Sequence, residues 1–115
     1  YEKWIDEQFA KKPSCHMDWI HSHAKGVNDI PDLNKSREDW KRYSDALAAM
    51  QRDAWWDIVV NGEDQLRQRV AFALSEILVI SRNGPLLAFP DARVSYYDLL
   101  VKNAFGNFED LLRDV

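Results

Sequence analysis

"EDQLRQRVAFALSEILVIS", Glu63 to Ser81, is the stretch on which the fold turns. Leu66, Val70, Ala73 and Ile77 follow one helical face, and Phe72, Leu74 and Leu78 widen it until the second half is apolar nearly all round. A helix of that kind does not sit at a surface, so the pattern predicts a central buried helix over about 64–81, packed on most sides by its neighbours. Its longest apolar run, Val70 to Ile80, is broken by Ser75 and Glu76 and falls short of the roughly 20 residues that cross a bilayer. Membrane insertion is therefore not expected.

Outward from this segment the rhythm stays helical. Upstream, Trp40, Tyr43, Leu47, Met50, Ala54 and Ile58 repeat at three- and four-residue steps, behind a capping-box spacing at Ser36 and Asp39 and ahead of a stop at Asn61 and Gly62. This helix is expected to lie along the central one. Further upstream, Tyr1, Trp4, Ile5 and Phe9 mark one face of a first helix ended by Pro13. Ser14 then offers a cap for a helix with Met17, Ile20 and Ala24 inward, and "GVNDIPDLN", Gly26 to Asn34, reads as a loop. Downstream of "NGP", Asn83 to Pro85, Asp91 is a candidate cap for a helix with Val94, Tyr97, Leu100, Val101 and Ala104 on one stripe. Gly106 ends it, and Asn107 caps a last helix with Phe108, Leu111, Leu112 and Val115 as its apolar residues. No stretch alternates as a strand does, so the fold class is all-α, an irregular bundle of five or six helices.

The 115 residues suit one domain, and a hydrophobic fraction of 46% is enough to build a core. A net charge of -4 without a basic stripe in the sequence makes nucleic acid a poor candidate partner, and none is expected. Cys15 is the single cysteine, so neither an intrachain disulfide nor a cysteine-rich zinc site can form. The chain opens on "YEKWIDEQF" already in helical rhythm and closes on "EDLLRDV" without a terminator. Both ends read as cut, giving the expectation of a fragment, residues 1–115, of a larger helical domain. Such a fragment is expected to self-associate through apolar surface left uncovered, with Phe108, Leu112 and Trp56 as the candidates.

Two blocks, "WWDIVVNGEDQLRQRVAFALSEILVIS" from Trp55 to Ser81 and "YYDLLVKNAFGNFEDLLRDV" from Tyr96 to Val115, resemble in order, spacing and residue types the bacterial family catalogued as domain of unknown function 1800. "WIDEQFAKKPSCH", Trp4 to His16, is similar to its upstream region. The resemblance implies the early part of a domain several hundred residues long, in a bacterial protein that often carries an export signal, and it implies no activity.

Four constellations carry potential chemistry. Cys15, His16, Asp18, His21 and His23 crowd metal-ligating side chains together, but a helix sets His16 and His23 about 10 Å apart and turns His21 elsewhere. Solvated or capping histidines are the plainer reading, and His16, His21 and His23 remain the metal candidates. Trp55 and Trp56 stand about 100° apart, and with the stripe from Trp40 to Ile58 inward Trp56 projects almost opposite, where it either meets covering structure or stacks a sugar or other ligand. Arg69 and Glu76 lie within about 20° of each other on the 64–81 helix. They are expected to be half-buried and to brace the core by ion pairing, with Asp98 as a partner, while Glu76 is also the candidate general acid or base. Last, "NAFGNF", Asn103 to Phe108, is connection chemistry, and with four glycines in the chain nothing resembles a nucleotide cradle.

No cofactor is called for. The residues point first to a helical binding or scaffold segment. The rival is part of a hydrolytic or metal-dependent enzyme whose main catalytic groups lie beyond residue 115.

Overall fold

Helix formation follows the apolar spacing. A computed structural model describes residues 1–24, 37–81 and 89–115, and among them six helices and no strand occur. They are α1 Glu2–Ala10, α2 His16–His23, α3 Arg37–Asn61, α4 Gln65–Ile77, α5 Pro90–Asn103 and α6 Phe108–Asp114. The loop expected over Gly26 to Asn34, the Ser36 cap and the "NGP" stop lie outside the described residues.

The inward stripe of α3 is the one its spacing predicts, with Tyr43, Leu47, Ala54 and Ile58 buried. Ile20 and Ala24 from the α2 end and Val94 from α5 close on Tyr43, Leu47 and Ala54 to form one core. A second core joins Ala71 of α4, Leu100 and Val101 of α5 and Leu111 of α6. One element serves both. The first half of α5 enters the first cluster and its second half the other, and α5 packs against α2, α3, α4 and α6.

This shifts the centre of the molecule from the 64–81 segment to α5. On α4 the buried residues are Arg67, Gln68 and Ala71, whereas Phe72 and Ile77 are exposed, Ile77 by 72%. Dimensions explain it. The backbone spans 18 Å along its shortest axis, room for about two layers of helices at the usual interaxial spacing, so few helices can be enclosed on all sides. The α4 helix also stops at Ile77 instead of near Ser81. Val79 and Ile80 are poor helix formers because branching at Cβ restricts their side chains, and the Tyr96 hydroxyl donates to the Leu78 carbonyl at 2.7 Å, satisfying a group the next turn would have used.

The aromatic stripe of α1 is likewise not core. Trp4, Ile5 and Phe9 are exposed, and the buried side chain of α1 is Gln8. Its amide nitrogen donates to the Glu63 carbonyl at 3.1 Å and its amide oxygen accepts the Leu66 N–H at 3.0 Å. Gln8 thus fastens α1 to the turn between α3 and α4, where Lys11 also pairs with Glu63 at 2.8 Å. Phe108, Leu112 and Trp56 are all exposed. No helix of the described residues is long and apolar enough to cross a membrane.

Candidate functional site

A cleft of about 360 Å³ opens where α3, the end of α4 and α5 diverge, and α2 contributes one residue to it, His16. The α3 wall carries Gln51, Arg52, Trp55 and Trp56; the α4 side carries Ser75 and Glu76; Tyr96 and Tyr97 come from α5. Four residues singled out in the sequence, His16, Trp55, Trp56 and Glu76, therefore meet on one concavity.

The two tryptophans divide their roles through the 100° between neighbouring helix positions. Trp55 is half-buried, and its indole N–H donates to the Tyr97 hydroxyl at 3.3 Å. Trp56 stands edge to face with it, ring centres 5.0 Å apart, and remains 62% exposed. The pair makes a corner. One indole is fixed in the wall and the other offers a face to solvent. Burial raises the Tyr97 phenol above its ordinary range, with the Trp55 bond opposing that shift and the Asp98 charge adding to it. Tyr97 therefore stays a neutral hydroxyl.

His16 is buried, at 2% exposure, and its Nδ1 lies 2.9 Å from the Asp98 Oδ1. The same oxygen accepts the His16 backbone N–H at 2.7 Å, and Oδ2 accepts the Met17 N–H at 2.9 Å. Asp98 thereby satisfies two of the free amides at the start of α2, the place assigned in the sequence to Ser14. The Ser14 N–H instead donates to the Asp64 carboxylate at 2.8 Å. Asp91, read as the α5 cap, accepts the Tyr43 hydroxyl at 2.8 Å, while α5 begins at Pro90, whose fixed φ suits a first helical position. Burial, then that bond, pushes the Tyr43 hydroxyl up to about 12.

The brace expected between Arg69, Glu76 and Asp98 does not form. Arg69 and Glu76 are both exposed, and neither has an ion-pair partner among the described residues. The reason lies in which face α4 buries. Arg67 and Gln68 turn inward, Arg67 donating to the Val101 carbonyl at 3.2 Å with its guanidinium 4.4 Å over the Phe105 ring, so Arg69 is directed to water. Arg69→Ala and Glu76→Ala should each change stability by less than about 0.5 kcal/mol, the usual range for surface positions. Thermal melts of the two variants check this, and a drop of several degrees would restore the bracing role.

The histidines disperse. His21 is exposed and His23 stacks on Trp19 with ring centres 4.0 Å apart, while His16 turns inward. No three His, Cys, Asp or Glu side chains among the described residues come close enough together to hold a metal. Cys15 is half-buried, and desolvation first, then nearby Asp98, raises its thiol above the usual range, which disfavours the nucleophilic thiolate.

Sequence reasoning missed the pairing of His16 with Asp98, which spans 82 residues. A signal was present. Asp98 falls between Tyr97 and the buried Leu100 on the inward side of its helix, and an acid placed there needs donors. Gln51 and Arg52 gave no such signal, since polar residues on a long helix ordinarily face water.

No curated protein and no solved structure matches the chain significantly. The model of one family, described as "Protein of unknown function (DUF1800)", matches residues 1–115. The whole of this sequence is covered, including the cleft and the His16–Asp98 pair, and the chain belongs to that family.

Proposed function

We propose that this chain is a helical binding segment of an exported bacterial protein, and that the cleft between α3, α4 and α5 receives a hydroxylated ring such as a sugar. The bacterial and exported character rests on the family resemblance. The carrying observation for the ligand is the exposed Trp56 face beside the fixed Trp55, at the edge of a cleft of about 360 Å³. An indole face suits the apolar C–H face of a sugar ring, and Gln51, Arg52 and Glu76 in the same lining supply the donors and acceptors that hydroxyl groups need.

Titration with cellobiose, maltose and chitobiose, followed by tryptophan fluorescence and calorimetry, tests the reading. Binding of at least one disaccharide is expected, weakened about tenfold by Trp56→Ala, equivalent to ~1.4 kcal/mol of lost stacking. The absence of any fluorescence change or heat at millimolar concentrations of all three would refute the sugar reading.

A further inference from the structure

On α3 the residues that line the cleft are Ala48, Gln51, Arg52, Trp55 and Trp56, spaced i, i+3, i+4, i+7 and i+8. They form one face of the helix, adjoining the buried stripe of Tyr43, Leu47, Ala54 and Ile58. Arg52 and Trp56 are neighbours on that face, one turn and about 6 Å of rise apart. Both are exposed. The other positions three and four residues from Arg52 are Ala48, Ala49 and Trp55, none of them acidic, so the helix supplies Arg52 with no counter-charge of its own. Nor does Arg52 enter an ion pair elsewhere among the described residues. Arg93, the other arginine of the lining, is 6% exposed and already engaged within the fold. Arg52 is therefore the cation that the cleft leaves to a ligand, in a chain whose net charge is -4.

We infer that the ring ligand of the cleft bears a carboxylate and is a hexuronic acid, its ring on the Trp56 face and its carboxylate bound by the Arg52 guanidinium. This rests on the reading of the cleft as a site for a hydroxylated ring and names the class of ring. The spacing carries it. A hexuronate holds its carboxylate one bond from the ring, so a ring lying on Trp56 brings the charge to the side chain one turn away. There a guanidinium presents two parallel N–H donors to the two carboxylate oxygens. Glu76 discriminates among anions. It is exposed on the α4 side of the same cleft, where it accepts from ring hydroxyls but repels additional negative charge. A singly charged carboxylate is therefore favoured over a phosphate ester, which carries about two charges.

Calorimetry and tryptophan fluorescence on the full chain test the inference with glucuronate and galacturonate, each against its uncharged methyl ester, and with glucose 6-phosphate. For at least one of the two sugars the acid should bind about fivefold more tightly than its ester, the size of a partly exposed ion pair. High salt should shrink that preference by screening. Arg52→Gln should bring the ratio of acid to ester affinity close to one, and Arg52→Lys should retain part of it. Each ratio is taken within one variant, so a change in stability does not mimic the effect. Acid and ester bound equally overturn the inference and leave the ring reading standing, as does binding of neutral disaccharides alone. A preference that survives Arg52→Gln overturns it too, and so does glucose 6-phosphate binding more tightly than either uronate. No binding of any of these sugars, charged or neutral, removes both readings.

Discussion

Asp64→Ala is expected to lower the thermal midpoint by roughly 10 °C, the shift that a loss of about 3 kcal/mol produces in a chain of this size. Asp64 has no exposed surface, and one of its carboxylate oxygens accepts the Ser14 N–H at 2.8 Å and the Gln68 side-chain amide at 3.0 Å. Bonds to a carboxylate contribute about 1.5–3 kcal/mol, and a buried donor left without an acceptor costs about 1–3. Gln68 keeps a second partner in the Ser14 carbonyl at 3.0 Å, and the other Asp64 oxygen is buried without a partner among the described residues, so the two contributions do not add in full and the loss stays near the upper end of either range. The position is sensitive because it ties segments that are distant in sequence. Ser14 leads into α2, Gln68 belongs to α4, and Asp64 closes the turn after Gly62, where any Cβ would run into the Ile58 carbonyl oxygen. Asp53→Ala, on the exposed side of α3, is the control. Equal melting curves for the two variants would show that the turn is not a fastening point.

Leu100→Ala should cost about 2–5 kcal/mol, the range for truncating a leucine with no exposed surface, whereas Ile77→Ala should cost less than about 0.5 kcal/mol. Leu100 sits in the core shared by α4, α5 and α6; Ile77 lies at the water-exposed end of α4. Urea unfolding of both variants compares the two helices directly. A larger loss at Ile77 than at Leu100 would return the centre of the molecule to the 64–81 helix.

The site was only partly legible before the fold was known. Trp55 and Trp56 could be separated by direction because adjacent helix positions differ by a fixed angle, and Trp56 does lie outside the buried stripe of α3. Glu76 and His16 could be marked as chemistry worth weighing, but their meeting on a cleft could not, because it needs α2 and the end of α4 to converge through α5. Asp98 went to the wrong partners for the same reason. Charges on one helix can be matched by angle, but charges on different helices can be matched only by packing.

The sequence by itself determined that the chain is all-α, where each described helix lies to within a few residues, and which sides of α2, α3 and α5 are apolar. Those properties follow from local backbone geometry, since a repeat of 3.6 residues fixes which side chains share a face. Tertiary structure alone decided that α5 is the axis and that α4 buries Arg67 and Gln68 while exposing Ile77. It also decided that Asp98 caps α2 and holds His16. Apolarity states which side chains gain by leaving water, but a bundle about two helix layers deep has too little interior to receive all of them. Which ones are buried is settled by how the six described helices share that space.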